Sequence, residues 1–111
     1  MPVLVSSEHM KTERRGEGWT EITLADSQTI GAAAMVARRW TFAPDARGPA
    51  ITHGSAEQLL YVIRGSGTAV VGDERLPLNP ESVLWLEPGD EYHLEAGADG
   101  LDILQGYAPA E

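Results

Sequence analysis

The side chains able to do chemistry in this chain are few. They gather in two short stretches, around His53 and Gln58 and around Tyr92 and His93. An imidazole titrates near neutrality, so it can move protons or ligate a metal. A phenol and a primary amide donate and accept hydrogen bonds. His9 lies near the N-terminus, away from both stretches, and is set aside. There are no cysteines, so disulfides and thiolate metal sites are excluded. There is also no glycine-rich phosphate loop, no nucleophile elbow and no zinc-protease helix motif.

Alternation decides which of these side chains can share a face. Leu94 is apolar and should point inward, which turns Tyr92 inward and sends His93 and Glu95 outward. A bulge at Asp90-Glu91 would reverse that choice and bring His93 inside. Glu57 is out of phase with Gln58 and reads as solvent-facing. Arg38 and Arg39 are adjacent, so one points inward and needs an anionic partner, either a ligand or a buried acid. Trp40, Phe42, Tyr61, Trp85 and Tyr107 read as core or interface residues.

The elements that must hold these residues are strands. Trp19–Leu24 is rich in β-formers, and a long strand is expected from about Ala33 to Phe42. Further on, β-rich runs end at regular punctuation. Gln58–Arg64 closes at Gly65-Ser66-Gly67, which reads as a hairpin connection to Thr68–Val71. Arg75–Leu78 stops at Asn79-Pro80, and Ser82–Leu86 stops at Pro88-Gly89. Tyr92–Ala96 stops at Gly97, and a last strand runs from about Leu101 to Tyr107. The charged, glycine-bearing stretch from Lys11 to Glu17 reads as an exposed loop. The pattern predicts an all-β sandwich or barrel. Residues 33–111 would form the barrel, and residues 1–32 an N-terminal extension that takes part in dimerisation.

Two passages resemble the motifs of the cupin family. Gly48, His53, Gln58 and Gly65 resemble its first motif, in which a glycine, a His-x-His pair, a Glu or Gln and a second glycine follow in order. Leu86-Glu87-Pro88-Gly89-Asp90-Glu91-Tyr92-His93 resembles the second, with its strand, Pro-Gly turn and histidine. The resemblance covers roughly Met35 to Pro109 and implies a jelly-roll β-barrel around one small-molecule pocket. It also implies a divalent transition metal (iron, nickel, zinc, manganese or copper) held by His53, Gln58 and either His93 or Tyr92. The first histidine of the pair falls on Ile51, which cannot ligate.

Three functions follow from the resemblance. One is metal-assisted dioxygenase, isomerase or lyase chemistry on a small organic substrate. The second is metal-free acid-base catalysis with His53 as base and Tyr92 as acid, in roles similar to the sugar-epimerase branch of the superfamily. The third is a binding or sensory module without catalysis. Small cupins commonly pair as homodimers through sheet edges, which Val3-Leu4-Val5 could supply. The chain carries seventeen acidic against eight basic residues, a formal charge of -9. That excess argues against nucleic-acid partners and anionic membranes. With no apolar stretch long enough for a signal or spanning segment, a cytoplasmic location is expected.

Overall fold

The computed structural model describes residues 2–4, 6, 10–28, 30–32 and 34–109. His9, Val5 and Ala33 lie outside the described residues. Among those described, no helix is long and apolar enough to cross a membrane.

The described residues form seven antiparallel strands: Lys11–Gly16 (β1), Trp19–Ala25 (β2), Val36–Phe42 (β3), Glu57–Val71 (β4), Glu74–Leu78 (β5), Val83–Leu86 (β6) and Tyr92–Ala108 (β7). Two of them are far longer than an ordinary strand, β4 at 15 residues and β7 at 17. They pair along most of their length, with register shifts between Val62 and Arg64 and between Gly65 and Gly67. Those shifts divide the pair between two layers.

In the first layer the order is β1, β2, β3, the C-terminal half of β7, the N-terminal half of β4, then β6. In the second, the N-terminal half of β7 lies beside the C-terminal half of β4, which pairs with β5. Isolated bridges from Arg47 to Glu95 and from Ile51 to Tyr92 add a further edge there. Trp40, Leu60 and Ile103 of the first layer form one core with Ile51, Leu78 and Leu94 of the second. This is the jelly-roll arrangement, in which two facing sheets bury one common interior.

The expected hairpin at Gly65-Ser66-Gly67 is corrected: this segment is a bend inside one continuous strand. The next strand in sequence is not turned back but carried into the other layer. Glycine is required there because the backbones nearly touch. At Gly65 (φ 83°) an added Cβ would lie 2.2 Å from the carbonyl oxygen of Gly100. At Gly67 it would lie 2.2 Å from that of Glu95. The expected break at Gly97 is corrected for the same reason, since β7 runs through it. The Lys11–Glu17 segment, expected as a loop, supplies strand β1 instead. Its charged residues pair antiparallel with β2, and Arg14 Nε donates to Glu21 Oε1 at 2.9 Å. Main-chain pairing carries that edge where apolar alternation is lacking.

An ion cluster ties β3, β4 and β7 together on the outer side of the first layer. Asp102 is buried there beneath Arg39 and Arg64. Arg39 donates twice, from Nε to Oδ1 at 2.8 Å and from Nη2 to Oδ2, and Arg64 Nε reaches Oδ2 at 3.2 Å. Burial alone would raise the Asp102 pKa. The hydrogen bonds and charge of the two guanidiniums outweigh it and hold the carboxyl below its ordinary value. A depressed folded-state pKa contributes stability that is present above the unfolded pKa and lost as pH falls through the folded one. Stability should therefore decline as the pH is lowered from about 4. In Asp102→Asn that part of the acid-side decline should be missing, while neutral-pH stability falls below wild type. Urea unfolding midpoints measured across the acid range check this.

Candidate functional site

The inward faces of β3, β4 and β7 place a polar group inside the apolar core. Gln58, Leu60 and Val62 are buried on β4, whereas Leu59 and Ile63, of the opposite parity, are exposed. On β7 the same period buries Tyr92 and Leu94, then Ile103, Gln105 and Tyr107. Gln58, Tyr92 and Gln105 meet at one interior point. Tyr92 Oη donates to Gln58 Oε1 at 2.8 Å, and Gln105 Nε2 donates to the same oxygen at 3.0 Å. Trp40 Nε1 donates to Gln105 Oε1 at 2.7 Å. Each buried polar atom in this chain of bonds is answered by another, which removes the desolvation cost of placing it there.

Burial pushes the Tyr92 phenol well above its ordinary pKa. The hydrogen bond with Gln105 works against that rise, and the Glu21 carboxylate adds to it. Tyr92 therefore stays protonated through the physiological range and acts as a fixed donor to Gln58.

His93 is not part of this group. It lies on the other face of β7, where its Nε2 bonds Glu95 Oε2 at 2.8 Å. The alternative that brought His93 inside through a bulge is thus corrected. Tyr92 pairs in register with Ile51 through both main-chain hydrogen bonds (2.7 and 3.0 Å), and that pairing fixes the parity. On the outer face His93, and after it Arg75, hold the Glu95 carboxyl below its ordinary value.

His53 stands two residues beyond Ile51 and is half-buried. Its ring stacks on Tyr107, with centroids 3.9 Å apart and planes 19° from parallel. Tyr107 is the register partner of Gln58, so His53 borders the interior group through that ring. Arg38 approaches the same ring, its Cζ 5.6 Å from the centroid. It is the inward-facing arginine of the adjacent pair, and its Nη1 lies 3.8 Å from the buried carboxylate of Glu21. Its buried Nε has no hydrogen-bond partner among the described residues.

Gln105 and Glu21 are interior groups that the motifs do not mark. Gln105 is in phase with Leu101 and Ile103, a parity that would have found it. Glu21 alternates against Ile22 and Leu24, so the apolar pattern pointed to the wrong face of β2. Both Glu21 and Thr23 are buried, while Ile22 and Leu24 are half-exposed.

The residues at the interior point do not fit a divalent ion. Both acceptor directions of Gln58 Oε1 are taken by Tyr92 and Gln105. Tyr92 is a protonated donor, and the neighbouring position is the hydrocarbon of Ile51. Among the described residues, no three His, Cys, Asp or Glu side chains are grouped to hold a metal.

A family model described as the cupin domain matches residues 38–101, more than half of the chain. The chain belongs to the cupin family. Solved cupin structures share its fold at low identity. An RmlC-like cupin from Shewanella frigidimarina superposes with a TM-score of 0.79 at 18% identity, covering 100% of this chain and 94% of that one. A predicted oxalate decarboxylase from Thermotoga maritima gives 0.80 at 16%, covering 97% and 100%. The polyketide cyclase RemF from Streptomyces resistomycificus gives 0.79 at 23%, covering 100% and 81%. A comparison with curated proteins found no significant match. In this cupin, Tyr92 and Ile51 are paired neighbours beside Gln58 in the interior.

The hydrogen-bonded interior group should contribute to stability in graded fashion. Gln105→Leu strands the Trp40 indole N–H and removes a donor from Gln58, and should cost about 2–3 kcal/mol. Tyr92→Phe leaves Gln58 still bonded to Gln105 and should cost about 1 kcal/mol. Chemical denaturation of the two variants checks the order.

Proposed function

We propose that this cupin binds a small organic anion without a metal, at the end of the barrel bordered by Arg38, Glu21, His53 and Tyr107. The observation that carries the reading is the buried Nε of Arg38, an N–H donor with no acceptor among the described residues. A buried guanidinium edge left unanswered costs free energy unless something supplies an oxygen. Glu21 does not fill that need. It already accepts from Arg14 at 2.9 Å and reaches Arg38 only at 3.8 Å. Arg14 and Arg38 set two guanidiniums against the one carboxylate of Glu21, and the Arg38 end of that cluster, near the Tyr107 ring, favours an anion.

The ligand chemistry that fits is a carboxylate joined to a flat or apolar body. The carboxylate would take the Arg38 edge, and the body would lie against the Tyr107 and His53 rings. The remaining polar groups behind it, Gln58, Tyr92 and Gln105, are engaged with one another and form a rigid floor. Because Tyr92 is held protonated as a donor to Gln58, it is poorly suited to giving up a proton as an acid. This favours binding over the acid-base reaction assigned to His53 and Tyr92. The structural relatives include a polyketide cyclase and a predicted oxalate decarboxylase, so the shared fold does not select among chemistries.

The test uses benzoate, oxalate and inorganic phosphate as probes of thermal stability. Benzoate at saturating concentration should raise the melting temperature by about 4 °C or more, the response of a small domain to ligand linkage. Arg38→Met should abolish that rise, and prior treatment with a chelator should leave it unchanged. A near-stoichiometric transition metal in the purified protein, whose removal lowers the melting temperature, would overturn the reading. So would a benzoate response that survives Arg38→Met.

A further inference from the structure

Glu21 faces the barrel interior from β2 although it is a carboxylate, and only 3% of its side chain is exposed. Its two oxygens are used unequally. Oε1 accepts from Arg14 Nε at 2.9 Å. Oε2 faces Arg38 Nη1 at 3.8 Å, an ion pair too long for a hydrogen bond. Among the described residues Oε2 accepts no hydrogen bond. An ionised carboxylate accepts up to about four, so a buried one with a single donor holds acceptor capacity in reserve.

Beside it, Arg38 Nε is a buried donor without a partner among the described residues. The site thus lacks an acceptor at one point and a donor at another. Nε and Nη1 are about 2.3 Å apart in the rigid guanidinium fork, so the open donor lies no more than about 6 Å from Glu21 Oε2. A ligand answering both carries its acceptor and its donor close together, as on neighbouring carbons.

The register puts these groups in order. Across the first layer Glu21 is level with Trp40, Arg38 with Gln105, and Tyr107 with Val36 and Gln58. Arg38 therefore stands on β3 between the level of Glu21 and that of Tyr107, with adjacent interior levels about 7 Å apart. Its Cζ is 5.6 Å from the centre of the Tyr107 ring, and its Nη1 is the group that meets Glu21.

Charge decides what the ligand's donor is. Arg14 and Arg38 outnumber the one carboxylate between them. A ligand carboxylate brings this cluster to balance, and a neutral hydroxyl donating to Glu21 keeps it there. An ammonium in that place would restore the excess positive charge, and burial penalises an uncompensated charge.

We infer, on the anion-binding reading of this site, that its ligand is an α-hydroxy acid. The carboxylate takes the Arg38 Nε edge, the hydroxyl donates to Glu21 Oε2, and an apolar body lies against Tyr107. Glu21 is then the residue that separates hydroxy acids from deoxy and amino acids of the same shape. A site built to pair with a ligand hydroxyl rejects the analogue lacking it, because its own buried group is left unpaired. The three contacts are made by three substituents of one carbon, so the site also distinguishes enantiomers.

Isothermal titration calorimetry with phenylacetate, the two enantiomers of mandelate, O-methylmandelate and phenylglycine tests the inference. These acids share a carboxylate and a phenyl ring and differ at the carbon between them. The better mandelate enantiomer should bind more than about tenfold tighter than phenylacetate, the worth of a hydrogen bond to a charged acceptor. Its mirror image should bind at least about threefold more weakly than it does. O-methylmandelate keeps the oxygen but cannot donate; it and phenylglycine should bind no tighter than phenylacetate. Glu21→Gln substitutes a neutral acceptor and should cut the ratio of mandelate to phenylacetate affinity to less than about threefold. The methyl ether makes the same comparison in the wild-type chain should that variant fail to fold. Phenylacetate binding that is lost in Arg38→Met, with mandelate no tighter, would overturn the hydroxy-acid assignment and leave the anion site standing. So would phenylglycine binding more tightly than mandelate, equal binding of the two enantiomers, or an advantage that survives intact in the methyl ether or in Glu21→Gln. No measurable binding of any of these acids would remove the anion site itself, and this ligand with it.

Discussion

The antiparallel pairing of β4 with β7 is the constraint on which the other features of this cupin rest. Each of these strands serves both layers, so their register sets how the two sheets face each other and what meets in the middle. The crossing is possible only because three glycines let the backbones approach at the bend. At Gly65, Gly67 and Gly100 an added Cβ would fall within 3 Å of a carbonyl oxygen. Once that bend is made, Gln58 on one end of β4 and Tyr92 on the far end of β7 are driven to the same interior point from opposite layers. Gln105 arrives there from the other half of β7. The fold thus creates the convergence before any chemistry is specified.

What fills that convergence is a closed set of hydrogen-bonded side chains beside a hydrocarbon one. Ile51 pairs with Tyr92 through the main chain and packs apolar surface in the same core. Tyr92 spends its proton on Gln58. The bonds from Trp40 through Gln105 to Gln58 and Tyr92 are closed on themselves. A network of this kind fixes side-chain orientation because any rotation strands a buried donor or acceptor. The interior therefore behaves as a rigid polar floor. Among the described residues, the unanswered buried polar atom is Arg38 Nε, outside this floor.

Much of this could be read from the residues, and the misreadings have physical causes. The all-β class followed from strand-length runs and regular turn punctuation, and the resemblance of two passages to the cupin motifs narrowed it to a jelly roll. Leu94 fixed the inward direction of Tyr92, because a period of two leaves no freedom once one residue is assigned. The expectation that one of Arg38 and Arg39 points inward to an acid was likewise legible. That its partner is Glu21 was not, since Ile22 and Leu24 suggested the opposite face of β2. Glycine caused the larger misreading. Gly-Ser-Gly signals a backbone able to turn, but whether it reverses the strand or bends it into a second sheet depends on Gly100 and Glu95, some thirty residues away. Strand β1 was hidden for a related reason. An edge strand can be held by main-chain bonds and a cross-strand pair such as Arg14 with Glu21, neither of which leaves an apolar pattern.

Alternation also separates the inner and outer faces of the first layer. On β7, Gln105 and Tyr107 face the interior, while Leu104 and Gly106 face outward. On β4, Gln58 and Leu60 face in, and Leu59 faces out. Residues adjacent in sequence thus answer to different partners. A side chain changed on one surface leaves the packing of the other intact, provided the backbone register holds. What the surfaces share is that register. Residues 57–64 of β4 and 101–108 of β7 place both the row from Trp85 to Gly106 and the pair of Gln58 with Tyr107. A one-residue slip would exchange the polar floor for Leu59 and Leu104 and expose Gln58 and Gln105. The bend glycines oppose that slip, since only glycine fits the close approaches they make. The residues least able to do chemistry are therefore the ones that keep the inner and outer faces of this cupin distinct.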